Sequence, residues 1–407
     1  MSQLSSKAGT ARPLVAVVVI SDLEFGGAQR QVVELANHMD ERECVVHVVS
    51  LADYVPLAES LRNRDGRFHL ILRRWRFDFT VALRLAKFLK EVRADVVHSY
   101  LFDAAIAARV AGRLAGRVAV IDTERNTDYE FKKIERAAFH LTRWGNDLTM
   151  ANSRAGAAFN SRALDMPPAT YRVVHNGVDT ERFQPRPQPE LRAELGFQPD
   201  ELVVGMFASF KPQKNHPLFL RAARRALDAG ARFRLLFVGD ELYKGMSGSL
   251  EFKQQIQKTV DELQLRPHCV FTGNQKDVER YYNVCDVTAL PSLFEGTPNV
   301  ALESMASGVP VVATNVSDNA YIVPDGRAGF VVESNDAVTM ADRLVQLTKD
   351  HELRAQMSRA ARAWVMEEFS CARLAEKTLA VYREAVAMKA GEKSAGVPVR
   401  AASPANS

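Results

Sequence analysis

Two glutamates with seven residues between them are the side chains in this sequence that most clearly suggest chemistry. Glu295 follows a short apolar run, and Glu303 lies farther along, inside a helix that we expect Thr297 to open as its N-cap. The amides of Asn299 and Val300 would then be free at the helix N-terminus, where partial positive charge favours an anion such as phosphate. The segment therefore predicts a cleft in which two carboxylates accept hydrogen bonds from hydroxyl groups beside a phosphate.

Two further segments follow predicted strands and carry groups suited to a diphosphate. Lys211 and Lys214 lie on a loop between an apolar run and a helix, where ammonium groups can neutralise phosphate charge. Gly26 and Gly27 precede the first predicted helix and let the backbone approach a ligand closely. The G-x-G-x-x-G spacing of a dinucleotide site is absent, which argues against nicotinamide chemistry. Taken alone, each segment is also typical of a solvated loop or an ordinary tight turn.

Weaker candidates lie at the ends of two strands in the first half of the chain. His98 ends the run ADVVHS, and Arg125 and Asn126 follow the run VAVI. These side chains could face a cleft, although a hydrogen-bonded core position is the commoner role of a histidine like His98. The histidines and cysteines form no cluster with metal-ligand spacing, and neither a Walker loop nor a G-x-S-x-G elbow occurs. The sequence therefore predicts no metal site and no cofactor.

Short apolar strands that alternate with helices must position these candidates. The runs VAVVVI, CVVHVV, ADVVHS and VAVI alternate with amphipathic stretches of helical length, which predicts βαβ units and a parallel sheet. The rhythm stops at the proline-rich segment HNGVDTERFQPRPQPE and restarts with LVVGMF. We therefore predict an α/β protein with two doubly wound, Rossmann-like domains that face each other across a cleft. Ligands of such sheets lie beyond the carboxyl ends of the strands.

The same pattern sets the expected domain boundaries. Residues 14–178 would form the first Rossmann-like domain, on the acceptor side, and residues 179–368 the second, which would bind the donor. Residues 369–389 would form a C-terminal helix that crosses back to the first domain. The N-terminal residues 1–13 and the small, polar residues 390–407 are expected to be flexible or disordered.

Composition excludes several classes of protein. The chain has 407 residues, of which 47% are apolar and 25% charged, which is ordinary for a globular protein and excludes a fibrous or disordered one. The formal net charge of +4 is far below that of a dedicated nucleic-acid binder, so no nucleic-acid partner is expected. No apolar run reaches the roughly 18 residues of a membrane span, and the apolar stretch near the N-terminus is too short for a secretory signal. We expect a cytoplasmic protein with reduced cysteines.

One segment of the first domain combines basic and aromatic residues. Arg73, Arg74, Trp75 and Arg76 lie in the stretch RNRDGRFHLILRRWRFDF. A surface of this kind can bind anionic lipid headgroups, and it can equally be a solvated surface turn. The segment therefore suggests a peripheral contact with the inner face of a membrane.

Taken in order, these motifs resemble a known family. The segment FEGTPNVALESMASGVPVVAT resembles the signature of two glutamates separated by seven residues in the retaining glycosyltransferases of family 4, also described as group 1. SDLEFGGAQRQVVELA is similar to that family's N-terminal glycine loop, DVVHSYLFDA to its fourth strand and HNGVDTERF to its interdomain linker. The resemblance runs from Leu14 to Tyr382 and implies the two-domain GT-B fold.

The resemblance also implies roles for individual residues. Glu295 would bind the hydroxyls of the donor sugar near the reaction centre, and Glu303 would hold the nucleotide ribose. Lys214 would bind the donor diphosphate, to which Gly27 would present its amide. Further donor-binding candidates by position are Ser209, Lys211, Gly296, Thr297, Asn299 and Val300. Ser209 stands where the family commonly has an arginine, so Lys211 would have to supply the missing cation. Arg125 stands where the family often has a histidine.

The function implied is a metal-independent, retaining transfer of a sugar from a nucleoside diphosphate sugar, with UDP as the expected nucleotide. The acceptor would be a hydroxyl of a glycan or of a lipid-linked saccharide, in the synthesis of a bacterial surface or extracellular polysaccharide. Two alternatives stay open. One is a sugar-nucleotide epimerase on the same fold, which needs no acceptor. The other is a non-catalytic sugar-nucleotide-binding subunit, which the serine at position 209 suggests.

Overall fold

The carboxyl ends of two parallel β-sheets provide the positions on which the predicted site depends. The computed structural model describes residues 12–75, 78–125, 133–240 and 249–391. Seven strands form the first sheet and six form the second, and every pair of neighbouring strands is parallel. This arrangement confirms the predicted fold class.

The first sheet has the strand order β3-β2-β1-β4-β5-β6-β7. Its strands are β1 (Leu14–Ile20), β2 (Cys44–Ser50), β3 (Phe68–Leu70), β4 (Val96–Tyr100), β5 (Ala119–Glu124), β6 (Leu148–Ala151) and β7 (Tyr171–Val173). The helices of this half are α1 (Gly27–His38), α2 (Arg64–Arg67), α3 (Thr80–Glu91), α4 (Phe102–Ala115), α5 (Lys133–Thr142) and α6 (Arg154–Ala163).

The central strand β1 shows why its sequence is apolar without interruption. Val17 and Val19 pack against α3 and α4 on one face of the sheet, whereas Val18 and Ile20 pack against α1 on the other. A strand that is covered on both faces needs apolar side chains in both directions, which is typical of parallel sheets.

The second sheet has the order β10-β9-β8-β11-β12-β13. Its strands are β8 (Val203–Phe207), β9 (Arg234–Val238), β10 (Cys269–Phe271), β11 (Val287–Leu290), β12 (Val311–Thr314) and β13 (Gly329–Val332). The remaining helices are α7 (Pro189–Glu194), α8 (His216–Asp228), α9 (Ser249–Glu262), α10 (Val278–Tyr282), α11 (Asn299–Ala306), α12 (Asn319–Ile322), α13 (Ala337–Lys349), α14 (His351–Glu368) and α15 (Cys371–Ala390).

The chain crosses between the two halves twice, and the two crossings are hydrogen-bonded to each other. The amide of Val178 donates to the carbonyl of Phe369 over 2.8 Å, and the amide of Cys371 donates to the carbonyl of Val178 over 3.1 Å. After the second crossing, α15 packs on the first sheet, where Tyr382 joins the same apolar core as β1 and α1. Helix α15, the last one within the described residues, therefore belongs spatially to the first half.

The predicted chain ends are only partly covered by the described residues. Arg12 lies within the segment 1–13 expected to be flexible, yet its guanidinium makes two hydrogen bonds to Asp95, of 2.9 and 2.6 Å. This residue is therefore anchored, while residues 1–11 lie outside the described ranges. At the other end α15 continues to Ala390, one residue beyond the predicted bound, and residues 392–407 are outside the description. Within the described ranges, no helix has both the length and the apolar character needed to cross a bilayer.

Candidate functional site

The loop between β11 and α11 packs directly against the first half. A Cβ added at Gly296 would lie 2.6 Å from the side-chain nitrogen of Asn152 and 2.9 Å from the carbonyl oxygen of Arg125. Atoms this close leave no room for a side chain, so a glycine is needed here. The hydroxyl of Thr297 donates to the carbonyl oxygen of Asn152. The predicted donor loop thus lies in the interdomain contact.

The predicted N-cap role of Thr297 is wrong. The helix begins at Asn299, Pro298 is its N-cap residue, and no side chain caps it. Because the Thr297 hydroxyl is bonded across the interdomain contact instead, it is not available to the helix. The first amides of α11, those of Asn299 and Val300, precede the first helical hydrogen bonds, which Ala301 and Leu302 donate to Pro298.

Asn176, in the segment between β7 and α7, connects the two halves of the site. Its side-chain nitrogen donates to the side-chain oxygen of Asn299 over 2.6 Å and to the carbonyl of Thr297 over 3.2 Å. Its side-chain oxygen accepts a hydrogen bond from Arg125. Asn176 was not singled out from the sequence, because it lies in the segment that marks the break between the two halves and carries no local signal of its partners.

The glycine loop of the first half faces the same helix terminus. A Cβ at Gly27, the first residue of α1, would lie 3.4 Å from the side-chain nitrogen of Asn299. The N-cap residue of α1 is Gly26, and no side chain caps this terminus either. Two helix N-termini without side-chain caps therefore lie close together, and their partial positive charges favour an anion between or beside them.

Glu295 and Lys214 form an ion pair at the start of this loop. The ammonium nitrogen of Lys214 lies 2.5 Å from the Glu295 carboxylate, and the two side chains are 19% and 8% exposed. The carboxylate also accepts a 2.7 Å hydrogen bond from the Ser292 hydroxyl. Burial, and then the nearby ammonium of Lys214, lowers the pKa of Lys211. The structure thus brings together the carboxylate predicted to bind the sugar and the lysines predicted to bind the diphosphate. Lys214 contacts Glu295 directly, which the sequence did not predict.

Glu303 lies one turn inside α11, on the side of Asn299. Its carboxylate accepts a 2.8 Å hydrogen bond from the Tyr282 hydroxyl and lies 3.6 Å from the guanidinium of Arg30, which belongs to α1. Burial raises the pKa of Tyr282 well above its usual value, which keeps that hydroxyl protonated as a donor. Glu303 therefore contacts the first half through Arg30, while Glu295 and Lys214 form their ion pair at the loop that packs against that half.

Ser209 occupies the loop after β8 together with Lys211. Its carbonyl oxygen accepts a 2.9 Å hydrogen bond from the amide of Lys211. A Cβ at Gly239, which has a φ of +132°, would lie 3.3 Å from the Ser209 amide. The backbone of Ser209, after β8, is therefore packed closely against the backbone of Gly239, after β9.

The first-half candidates separate into different environments. The ring of His98 is fully buried, with Nδ1 2.8 Å from the Tyr382 hydroxyl and Nε2 bonded to the Thr123 hydroxyl. Burial, and then the charge of Arg125, lowers the pKa of His98 to about 3. His98 is therefore a neutral core residue and not the cleft-facing acceptor candidate. Arg125 does lie at the interdomain contact, through Asn176, and Asn126 lies outside the described residues.

A second interdomain contact was not predicted from the sequence. Asp318 of the second half accepts hydrogen bonds from the amides of Arg154 and Ala155, over 2.8 and 3.1 Å, at the start of α6. It also lies 2.8 Å from Nε2 of His175. Burial alone would raise the pKa of Asp318, but the hydrogen bonds from His175 and the two amides outweigh it and lower that pKa. An isolated aspartate in a loop gives no sequence signal for such a contact.

The fold also brings together three potential metal ligands that have no metal-ligand spacing in the sequence. Glu34 and His38 of α1 and Cys371 of α15 bring their ligand atoms within 4.8 Å of one another. The Cys371 thiol donates to the Glu34 carboxylate over 3.5 Å, and burial raises the pKa of this thiol. The cluster arises because α15 returns to α1 from a distant part of the chain.

Comparison with known families divides the chain at the same place as the sheets. Residues 187–364 match the family model described as Glycosyl transferases group 1. Residues 25–182 match the model described as Glycosyltransferase Family 4. Each model covers one of the two halves, and between them they include the glycine loop and the donor loop.

Similar proteins are found among named enzymes. The D-inositol 3-phosphate glycosyltransferase of Saccharomonospora viridis is 34% identical over 59% of this chain and 56% of its own length. The match therefore spans little more than half of that relative. The UDP-Gal:alpha-D-GlcNAc-diphosphoundecaprenol alpha-1,3-galactosyltransferase of Escherichia coli is 27% identical over 77% of this chain and 81% of its own length.

Solved structures share the fold over most of the chain. The Anabaena protein HepE, solved in complex with UDP, superposes with a TM-score of 0.79 at 19% identity and covers 91% of this chain and 100% of its own. A glycosyltransferase from Rickettsia africae gives a TM-score of 0.77 at 19% identity and covers 92% of this chain and 99% of its own. At these identities the similarity shows the fold, which is the two-domain arrangement described above.

Proposed function

Because the chain belongs to the glycosyltransferases described by the group 1 and family 4 models, we propose that it transfers a sugar from a nucleoside diphosphate sugar to an acceptor hydroxyl. The observation that carries this proposal is the convergence, at one interdomain loop, of two helix N-termini with the ion pair of Lys214 and Glu295. One set of groups suits a diphosphate and the other suits a sugar.

The diphosphate would be bound by amides and amines. The N-termini of α1 and α11 present backbone amides at Gly27, Asn299 and Val300 toward the space they share. Lys214, which pairs with Glu295 in the loop before α11, would add a positive charge. When the bond between the sugar and the diphosphate stretches, negative charge accumulates on the leaving group, and donors already aimed at that charge lower the barrier. These groups can neutralise the leaving group without a metal ion, and we propose metal-independent transfer on this basis.

Glu295 would orient the donor sugar. Its carboxylate accepts a hydrogen bond from Ser292 that does not depend on Lys214, so its direction is defined before a ligand arrives. In this position it could accept hydrogen bonds from sugar hydroxyls while Lys214 turns toward the phosphate. The resemblance to retaining enzymes supports attack by the acceptor on the face of the leaving group, which would retain the anomeric configuration.

Glu303 would accept hydrogen bonds from the nucleotide ribose. The Tyr282 hydroxyl donates to one oxygen of Glu303. A ribose would compete with Arg30, 3.6 Å away, for the other oxygen or would share that oxygen with it. Uridine is the proposed base because the Escherichia coli relative is named for UDP-Gal and HepE was solved with UDP.

We propose a glycan or lipid-linked saccharide as the acceptor, made for a bacterial surface or extracellular polysaccharide. The named activity of the Escherichia coli relative on a diphosphoundecaprenol-linked sugar supports this class. The exposed Trp75 and Phe79, 56% and 83% accessible, lie beside Arg73 and Arg74 and support a peripheral contact with an anionic membrane surface. Arg76 of the same predicted patch lies outside the described residues.

The proposal is tested by a panel of nucleoside diphosphate sugars, scored by nucleotide release and by product analysis with and without a membrane extract. We expect one nucleoside diphosphate sugar of the panel to give much more nucleotide release than the others. We also expect the membrane extract to increase that release, because it would supply the acceptor. Interconversion of sugar nucleotides without a glycan product would indicate an epimerase instead, and tight donor binding without any release would indicate a non-catalytic subunit.

Two substitutions separate donor binding from turnover. Glu303→Ala should raise the Kd of the donor, whereas Lys214→Ala should lower kcat, by roughly 10²-fold if the lysine stabilises the leaving group in the transition state. Lys258→Ala is a matched control, because this lysine is exposed on α9 and pairs only with Glu262 among its described neighbours. Equal donor Kd in the Glu303 variant and the wild type would refute the ribose assignment.

A further inference from the structure

Three side chains of different chemistry meet where α1 packs on the start of α15. Glu34 and His38 are one turn apart on α1, so both project from the same face of that helix. Cys371 is the first residue of α15 and is 337 positions from Glu34 in the sequence. A carboxylate, an imidazole and a thiol therefore converge at one place, and the proposed donor site uses none of them.

The Glu34 carboxylate is at the centre of this cluster. Its Oε2 lies 3.5 Å from Nδ1 of His38 and 3.5 Å from Sγ of Cys371. With Zn–N and Zn–O bonds of about 2.1 Å and a Zn–S bond of about 2.3 Å, two ligand atoms at a tetrahedral angle lie roughly 3.4–3.6 Å apart. Both separations from Glu34 already match this geometry. The ligand atoms of all three residues lie within 4.8 Å of one another, so the remaining separation closes with a small side-chain movement.

The imidazole of His38 can bind a metal without leaving a backbone group unpaired. Its Nδ1 lies 2.9 Å from the backbone carbonyl of Glu34 and donates to it when protonated. That carbonyl is also the helical acceptor of the His38 amide, four residues farther on. Coordination through Nδ1 therefore leaves the carbonyl paired, and coordination through Nε2 keeps the ring hydrogen bond as well. The side chains of His38 and Glu34 are 21% and 15% exposed, so an ion can reach them from solvent.

The charges around the cluster also favour a cation. Asp179, in the segment between β7 and α7, lies close enough to act on two of the three groups. Burial, and to a smaller extent the charge of Asp179, raises the pKa of the Glu34 carboxyl and of the Cys371 thiol. The arginines that face the cluster, Arg30 and Arg62, have partners of their own. A divalent cation would therefore offset the repulsion between the carboxylates and a thiolate.

We propose that Glu34, His38 and Cys371 form a Zn²⁺ site that braces α1 against the start of α15. A thiolate, an imidazole and a carboxylate together suit Zn²⁺, whereas Mg²⁺ and Ca²⁺ prefer oxygen ligands alone. On binding, the thiol releases its proton to solvent and a Zn–S bond forms, so the hydrogen bond from Cys371 to Glu34 is replaced by a bond from each residue to the metal. A water molecule or Asp179 would complete the four ligands.

The position of the site gives the ion a structural role that does not depend on the proposed glycosyl transfer. The amide of Cys371 donates to the carbonyl of Val178, so this ligand belongs to the pair of hydrogen-bonded chain crossings. The unfolded chain holds Glu34 and Cys371 far apart in sequence and has no preformed site. Zn²⁺ would therefore bind the folded protein in preference to the unfolded chain and stabilise it.

The first test is a titration of the full chain, purified without a histidine tag and freed of metal, with Zn²⁺ and with Co²⁺. We expect one Zn²⁺ per chain with a Kd in the micromolar range or below, no competition by Mg²⁺, and a Co²⁺ complex with a thiolate-to-metal charge-transfer band. Cys371→Ser should remove that band and weaken Zn²⁺ binding at least about tenfold, since loss of a group that only orients a ligand already costs this much.

Cys269→Ser is the matched control for this titration, because Cys269 begins β10 in the other half of the protein. It should change neither the band nor the affinity. Absence of saturable Zn²⁺ binding, competition by Mg²⁺ at similar concentrations, or a band that survives in the Cys371 variant would each overturn the inference.

The second test measures Tm with and without Zn²⁺. The ion should raise the Tm of the wild type and of His351→Ala, a control that removes an exposed histidine at the start of α14. His38→Ala removes a partly exposed ligand at the end of α1 and should lose most of the rise. An equal rise of Tm in the His38 variant and the wild type would refute the assignment, and this comparison holds even where the Cys371 variant folds poorly.

Discussion

Replacing Glu124 with glutamine is expected to flatten the pH dependence of folding stability. Glutamine keeps the size of the protonated glutamic acid and cannot ionise. In the wild type, burial and then Asp122 raise the pKa of Glu124 from its ordinary 4.5 to about 8. The folded protein therefore holds this proton over a pH range in which the unfolded chain has released it. The contribution of this one group to the free energy of unfolding is fully present below pH 4.5 and is lost as the pH rises through the folded-state pKa of about 8.

The size of the effect follows from the two pKa values. Since one pKa unit corresponds to about 1.4 kcal/mol, a pKa that rises from 4.5 to about 8 amounts to about 5 kcal/mol in alkaline solution. Between pH 6 and pH 9, linkage predicts that the wild type loses about 3 kcal/mol through this group. Glu124 keeps some exposure to solvent, so we expect a measured loss of about 1–3 kcal/mol.

The assay is chemical denaturation of the wild type and the Glu124→Gln variant at pH values from 6 to 9. The variant should be the more stable protein at pH 9, and the difference should narrow toward pH 6. Glu352→Gln is the control, because this carboxylate is exposed at the start of α14 and remains in water in both states. Parallel pH profiles for the wild type and the Glu124 variant would show that folding does not raise the pKa of Glu124, and would refute this reasoning.

Three further predictions concern the interdomain contact and the basic segment. Gly296→Ala should lower the free energy of unfolding by about 1–3 kcal/mol because its Cβ would overlap Asn152 and the carbonyl of Arg125, whereas Gly27→Ala, with 3.4 Å of clearance, should change it little. Asp318→Asn should destabilise the protein at pH 7 and reduce the loss of stability in acid, since the lowered pKa of Asp318 stabilises the fold above pH 3.8; equal acid midpoints would contradict this. The double variant Arg73→Glu and Arg74→Glu should abolish sedimentation with anionic vesicles, and unchanged sedimentation, judged against zwitterionic vesicles, would remove the membrane proposal.

The fold was predictable because its signals are local. The strand β1 is a continuous apolar run in the sequence, and the structure covers it on both faces. Most strands are followed by a stretch of helical periodicity, and this alternation leaves few arrangements other than a parallel sheet. The proline-rich segment is also a local signal. Prolines cannot donate the backbone hydrogen bonds that join strands, so this segment marked the change from one sheet to the other.

The candidate site was predictable only in part, because its partners are distant in sequence. Spacing indicated that Glu295 and Lys214 both belong to a cleft, but their ion pair joins residues 81 positions apart, which no local pattern encodes. The Thr297 hydroxyl illustrates the opposite case. Local preference favours an N-cap, yet the hydroxyl bonds to Asn152 of the other half, because a partner supplied by tertiary structure can override a local preference. The same reasoning explains why Asn176 and Asp318 were missed.

The residues proposed to bind the donor are also the residues that hold the two domains together. Gly27 faces Asn299, Arg30 lies 3.6 Å from Glu303, and Asn176 bridges to the helix that carries both. A ribose at Glu303 must therefore compete with an interdomain contact, so donor binding and domain separation are linked equilibria. The two chain crossings, hydrogen-bonded to each other at Val178, offer a pivot at which such a separation would not require the core of either sheet to open.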